Sequence, residues 1–474
     1  MIDQNEISAY IENRHGLFTD ASDKIWELAE IKYEEFESAK VQTEILEDEG
    51  FRVIKNVAGI QTAFIGRYGS GGPKIAILGE FDALRNMSQK AGCTQKQPLT
   101  EGGNGHGCGH NGLGIGALAA AIAVKDYLKN HGMKGTVCYY GCPAEETGAG
   151  KVFMVREGAF EGIDAVLTWH PGTVNMPLNK GTLAMIQAYF RFYGVSSHAG
   201  GSPELGRSAL DAVELMDVGA NYLREHVISD ARIHYAITDT GGKSPNVVPA
   251  HACVYYGIRA PKIVQAQAIF ERLKKIAQGA AMMTETRCEV VFDNAISDFV
   301  VNNTLNRMIQ KNLEIYGVPE LSEDEKKEAQ SFRDTMTDED VAMSLQGLPS
   351  AFIKSVKEKA YPDQIPPYVS KEESYATFSA DMGDVSYIIP TAQLLGATEV
   401  IGTAEHSWQM VAQGKTGYFH KGTLLAGKVL ALTALELMQS PETLKEAKDE
   451  LKEKMGDFQY TCPIPPDVKP TGER

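Results

Sequence analysis

No run of this 474-residue chain stays apolar long enough to cross a bilayer; the longest, around Leu113 to Val124, is too short and is broken by glycines. Basic residues are too few to balance the acidic ones. The 46 Lys+Arg against 62 Asp+Glu leave a net charge of −16, and a face that grips nucleic acid or an anionic membrane needs the opposite excess. Neither is therefore an expected partner. The start, Met1-Ile2-Asp3-Gln4-Asn5-Glu6, lacks the basic stretch and apolar core of a secretory signal. Cysteine is sparse and odd in number: seven, at positions 93, 108, 138, 142, 253, 288 and 462, without framework spacing. Such cysteines are expected as reduced thiols in the cytoplasm, mostly filling core, with Cys108 the exception.

The chain does hold the makings of a globular protein, 43% hydrophobic and 23% charged, with length for two or three domains. The first third alternates helix and strand. A helix is expected from Asp23 to Glu47, with Ile25, Leu28, Ile31 and Phe36 on one face, and another over Leu113–Leu128. Strands are expected at Thr62–Tyr68, Lys74–Leu78, Thr136–Tyr140 and Ala165–Trp169, giving an α/β fold with a mostly parallel sheet. The pattern then changes to strand Met185–Val195, helix Ser208–His226 (apolar at Leu210, Val213, Leu215 and Val218), strands Ile233–Thr238 and Val254–Arg259, helix Val264–Met283 and strand Cys288–Phe292. That βαββαβ order is ferredoxin-like. It predicts an α+β domain over 184–296 inserted into an α/β domain of residues 1–183 and 297–474. Lys354–Ser374 reads as a long surface loop, and Gly422–Met438 and Pro441–Met455 as closing helices.

Polar clusters fall just past the expected strands: Glu80-Phe81-Asp82, Glu145-Glu146 and His170. His106-Gly107-Cys108-Gly109-His110 ends a glycine-rich loop and opens a helix. In open α/β sheets, ligands bind outside the carboxyl ends of the strands. Thiolate, imidazole and carboxylate are zinc-type ligands, and of two adjacent glutamates one can ligate while its neighbour carries protons. A metal pair there would activate water and polarise a carbonyl. Each piece alone has a plainer reading. Glu145-Glu146 can be a solvated helix start, Asp82 a cap, His170 a strand end. Histidines 15, 131, 226, 234, 251 and 420 are expected to be structural.

Asp82-Ala83-Leu84, His106-Gly107-Cys108-Gly109-His110, Pro143-Ala144-Glu145-Glu146 and Trp169-His170-Pro171 resemble the co-catalytic metallopeptidase family of aminoacylases and glutamate carboxypeptidases. The cysteine-containing form is similar to its amidohydrolases, which include hippurate and auxin-conjugate hydrolases. Tyr140-Gly141-Cys142-Pro143, Phe153-Met154-Val155-Arg156-Glu157-Gly158 and the tail Cys462-Pro463-Ile464-Pro465 are similar to the branch that cleaves p-aminobenzoyl-glutamate with paired A- and B-type subunits.

The resemblance implies a metal-dependent amidohydrolase that cleaves p-aminobenzoyl-glutamate to p-aminobenzoate and glutamate, with an N-acyl-amino-acid hydrolase or dipeptidase as the alternative, or a non-catalytic subunit of a pair. The cytoplasm is its expected place because no secretory signal is seen. It implies two divalent ions, Zn2+ or Mn2+, on Cys108, His110, Glu146, His170 and His406. Glu145 is then the general base and Asp82 the group that orients a ligand. His198 would stabilise the oxyanion across a dimer, and Asn246 and Arg259 would hold the free carboxylate of a small-molecule substrate. For Arg259 a strand-end surface charge, and for Asn246 a turn residue, are the plainer readings. Residues 184–296 become a lid and dimerisation domain, forming a homodimer or pairing with a paralogous A-type subunit. Glu80 stands where many relatives have Asp; the resemblance implies a carboxylate behind the ligands there, and the extra methylene of Glu80 leaves that role open.

Overall fold

The computed structural model describes residues 2–472; Met1, Glu473 and Arg474, at the outer limits of the expected α/β segments, lie outside it. A seven-stranded sheet runs in the spatial order Arg52–Lys55, Phe64–Ser70, Gly135–Cys142, Lys74–Glu80, Ala165–Gly172, Thr391–Ala397, Met176–Pro177. The four strands from Gly135–Cys142 to Thr391–Ala397 are parallel, and the strands on either side of them pair antiparallel. The sheet is thus mainly parallel, with antiparallel margins.

Why the central strands read as unbroken apolar runs is visible in their packing. Ile75, Ile77, Val137 and Tyr139 point to one core, while Ala76, Leu78, Cys138 and Tyr140 point to another on the opposite face. A strand covered on both faces has no polar side to alternate with. The first face is covered by helices His110–His131 and Gly417–Gln439. On the second, Val152 and Phe153 of helix Gly150–Arg156 join the core.

A second, four-stranded antiparallel sheet has the order Arg287–Ile296, Ala184–Tyr193, His251–Ala260, Arg232–Asp239. In chain order that is fourth, first, third, second. Helices Ala209–Leu223 and Ile263–Met283 pack on one face of it, through Ala212, Val213, Met216, Ala266, Phe270 and Leu273. No helix among the described residues is long and apolar enough to cross a membrane.

The structure corrects several local expectations. The helix expected over Asp23–Glu47 is two helices, His15–Leu28 and Phe36–Asp48. Ala29 and Tyr33 take left-handed backbone (φ 43° and 62°) between them, and Ile31 pairs with Ala83. In helix Ala209–Leu223, Val213 is buried but Leu215 and Val218 are exposed, and they form an outward stripe with Tyr222. The charged stretch Glu323–Asp340, given no secondary structure by the sequence pattern, holds helix Glu323–Arg333 and the start of helix Asp338–Ser344. Ser322 caps helix Glu323–Arg333, with Glu325 accepting from the Ser322 N–H in return. The expected loop at Lys354–Ser374 begins as the end of helix Ser350–Val356.

Candidate metal and catalytic site

The loops that follow the central parallel strands bring the site together. Strand Lys74–Glu80 delivers Glu80 and, two residues on, Asp82; strand Gly135–Cys142 leads to Glu145 and Glu146; strand Ala165–Gly172 carries His170. Gly109 (φ 68°) turns the chain into helix His110–His131, and a Cβ there would stand 2.7 Å from the Met410 side chain and 2.9 Å from Pro171. Only glycine lets this turn approach so closely. His406, far along the sequence, arrives because its own N–H bonds Gly107 O at 2.8 Å.

Three triads form among the described residues, and two of them share Cys108. Ligand atoms of Cys108, His110 and His170 lie within 4.8 Å of one another, as do those of Cys108, Glu146 and His406. His406 Nε2 is 3.1 Å from Glu146 Oε2 and 3.3 Å from Cys108 Sγ. Asp82, 1% exposed, uses both oxygens: Oδ1 lies 3.0 Å from His110 Nδ1, and Oδ2 accepts the Glu146 N–H at 3.0 Å. His170 Nδ1 is 2.8 Å from Pro171 O. Each contact occupies Nδ1 and leaves Nε2 for another partner. His106 turns away, its Nε2–H donating to Ile25 O, and burial pushes its pKa down to about 4.

The electrostatics show what this space lacks. Glu145 is held well above the ordinary carboxylate range by burial and by Glu80, Asp381 and Glu146, with Lys151 opposing. Burial and nearby Glu146, Glu405 and Glu145 likewise push the Cys108 thiol well up. Burial disfavours a charged His110, yet Asp82, Glu80 and Glu146 lift it to about 10. A pocket this rich in carboxylates calls for cations. Glu80 Oε2, His110 Nε2 and Glu146 Oε1 are buried without hydrogen-bond partners, although buried polar atoms are nearly always paired. Sulfur, imidazole and carboxylate donors converging with unpaired atoms fit divalent ions.

Three residues not anticipated from the sequence complete the surroundings. Glu35, 0% exposed, accepts from the N–H of Ala144 at 3.0 Å and from Thr62 Oγ1 at 2.9 Å. Burial, then the charge of Asp82, raise it to about 8. It thereby holds Ala144, whose left-handed backbone (φ 62°) immediately precedes Glu145. Lys151 and Asp381, both fully buried, pair at 2.6 Å, and Lys151 Nζ is also 2.6 Å from Glu80 Oε1.

The other expected residues sit with the small sheet. His198 is exposed, its Nδ1 accepting from the Gly200 and Gly201 N–H groups, and its loop pairs with Val247 beside Asn246. These contacts remain within the small sheet's own loops. Arg259 is partly buried, and its Nη1 donates to Ser379 Oγ at 3.4 Å. Asn294 Nδ2 donates to Thr147 O at 2.9 Å, joining the small sheet to the short helix Glu145–Gly148.

Known proteins resemble this chain in sequence and in fold. The model of peptidase family M20/M25/M40 matches residues 76–387. The chain is 46% identical over 468 residues to the B-type subunit of the p-aminobenzoyl-glutamate hydrolase of Escherichia coli (strain K12), covering 97% of each chain. Its fold is similar to that of an aminobenzoyl-glutamate utilization protein from Klebsiella pneumoniae (TM-score 0.52, 19% identity, 69% of this chain and 91% of that one). It is also similar to that of a dinuclear metal-binding peptidase from Bacillus subtilis (TM-score 0.55, 16% identity, 90% and 99%). The chain belongs to peptidase family M20/M25/M40 and is a metal-dependent amide hydrolase.

Proposed function

We propose that this enzyme hydrolyses p-aminobenzoyl-glutamate to p-aminobenzoate and glutamate. The reading is carried by the two triads that share Cys108 beside Glu145, in a chain 46% identical to a relative named for that hydrolysis. Two divalent ions, Zn2+ or Mn2+, one on Cys108, His110 and His170 and the other on Cys108, Glu146 and His406, would lower the pKa of the attacking water and polarise the amide carbonyl. Glu145 takes the proton from that water and returns it to the leaving nitrogen of glutamate. Asp82 keeps His110 in one tautomer and fixes the backbone of Glu146. Arg259 and Asn246 hold the α-carboxylate, the guanidinium through paired hydrogen bonds, and His198 stabilises the oxyanion.

Residues 184–296 act as lid and dimerisation domain over a catalytic domain of residues 1–183 and 297–474. The link between Asn294 and Thr147 gives the lid a direct hold on the short helix that carries Glu145. Leu215, Val218 and Tyr222 on the outer helix face, with Tyr235 and Ile237 on edge strand Arg232–Asp239, are exposed apolar side chains suited to a second chain, identical or of the A type. Val218→Asp is expected to convert a dimer to monomers by light scattering, and a dimer of undiminished stability would place the interface elsewhere. The seven free thiols suit a reducing compartment such as the cytoplasm.

The substrate assignment is tested by comparing kcat/KM for p-aminobenzoyl-glutamate, hippurate and a panel of dipeptides. The dicarboxylate with the aromatic acyl group is expected to lead by at least about tenfold, the scale of one or two well-placed contacts. Equal or faster turnover of dipeptides or aliphatic acyl amino acids would replace it with the wider acyl-amino-acid specificity.

A further inference from the structure

Glu80 is held by one oxygen and free at the other. Its Oε1 lies 2.6 Å from Lys151 Nζ, and Lys151 cannot follow a moving partner. Asp381 fixes it twice, through Nζ at 2.6 Å and through the backbone N–H at 2.8 Å. With Oε1 fixed, Oε2 is aimed at His110 Nε2, 3.4 Å away. The two residues are 3% and 0% exposed, and neither of these atoms has a hydrogen-bond partner. As a hydrogen bond the contact fails, since its geometry does not meet that of a donor and acceptor. As two ligand atoms of one ion it fits. Donors about 2.1 Å from a tetrahedral centre stand roughly 3.4 Å apart. Ligand atoms of Glu80, His110 and Glu145, one from each, lie within 4.8 Å of one another, so the three residues converge on one place.

We infer that Glu80 is a further metal ligand, contributing its Oε2 to the ion held by His110 Nε2, and that Lys151 and Asp381 are positioning residues that aim it there. The inference rests on the two-ion reading above. It assigns a carboxylate oxygen to an ion otherwise served by sulfur and nitrogen. Carboxylate suits Mn2+ better than thiolate does, so Glu80 shifts the preference of this ion towards Mn2+. The glutamate side chain explains the length: Lys151 takes one oxygen, and the extra methylene relative to aspartate carries the other towards His110.

The test is titration of the chelated full-length protein with Mn2+ alone and with Zn2+ alone, by calorimetry, for the parent chain and Glu80→Gln. The visible spectrum of each Co2+-loaded protein is recorded alongside. Loss of an outer-shell partner costs about 10–100-fold in metal affinity, so loss of a ligand is expected to weaken one of two Mn2+ sites by roughly 100-fold. Zn2+ should be weakened less, and the Co2+ bands should shift. Glu80→Asp, which keeps the charge but shortens the reach, is expected to show the same weakening and carries the test if Glu80→Gln does not fold. Two sites of parent affinity to within tenfold in a folded variant, or unshifted Co2+ bands, overturn the assignment alone. A parent protein that takes up no ions overturns both the assignment and the reading beneath it.

Discussion

Glu145→Gln is expected to lower kcat by about 10²–10⁴-fold, the usual contribution of a positioned general base, while the protein keeps the ion content of the parent. The substitution removes the basic oxygen and little else. Glutamine has the same shape, and Glu146, Cys108 and the histidines remain to hold the ions. The combination separates two accounts of the site. If the chain is the catalytic subunit, activity collapses with full ion occupancy by elemental analysis. Were it a non-catalytic partner in a paired hydrolase, Glu145 would serve no reaction, and kcat of the assembled enzyme would not change. The burial of Glu145 favours the first account. Surrounded by Glu80, Asp381 and Glu146, an ionised Glu145 is costly to keep unless cations share the space. A protein under no demand for a base there gains stability by losing it.

Lys151→Met is expected to have the largest effect on stability, about 3–5 kcal/mol, because breaking a buried pair leaves uncompensated charge behind. Lys151 is 0% exposed, and its two partners, Glu80 and Asp381, are 3% and 0% exposed. Methionine fills a similar volume, so a cavity is a minor part of the loss. Both carboxylates would then face each other and Glu145 with no cation between them. Denaturant unfolding of the ion-free protein measures the change without contribution from bound ions. Adding Asp381→Asn is expected to recover part of the loss, since one of the stranded charges disappears. A loss under about 1 kcal/mol would mean that water or a rearranged side chain replaces Lys151, and that Glu80 is not clamped.

The sequence made the catalytic frame legible for a physical reason. Parallel strands buried on both faces appear as short apolar runs, and the polar residues that follow them can only lie at the sheet's carboxyl edge. Asp82, Glu145, Glu146 and His170 are readable that way, and Cys108 and His110 as zinc-type ligands at the end of a glycine-rich loop. Strand Thr391–Ala397 was not, because Thr-Ala-Gln-Leu-Leu-Gly-Ala has neither a β-branched run nor alternation, and only its place beside Ala165–Gly172 makes it a strand. His406 was reached through resemblance alone. It sits in a loop, and the bond from its N–H to Gly107 O is a tertiary fact with no local signature.

Glu35 and Lys151 were hidden differently. Glu35 stands among Glu34 and Glu37, where a solvated acidic face is the natural reading; it lies at the interruption between helices His15–Leu28 and Phe36–Asp48 and is buried. Lys151 lies in a short helix, where burying a lysine makes sense only once Glu80 and Asp381 are seen around it. A signal that could have been used was the Ser322…Glu325 spacing, a capping box that announces helix Glu323–Arg333 within a stretch dominated by charge. The outward turn of Leu215 and Val218 had no such signal, because apolar spacing alone does not say whether a stripe faces the core or another chain.

The central claim, a two-ion centre that cleaves the amide, is tested most directly by stripping the purified full-length protein of ions and then returning them. Ions per chain are counted by elemental analysis, and release of p-aminobenzoate is followed at each stage. The account predicts two ions per chain in the active protein, loss of hydrolysis on their removal, and recovery as Zn2+ or Mn2+ is restored to that stoichiometry. Undiminished hydrolysis by the ion-free protein would contradict it.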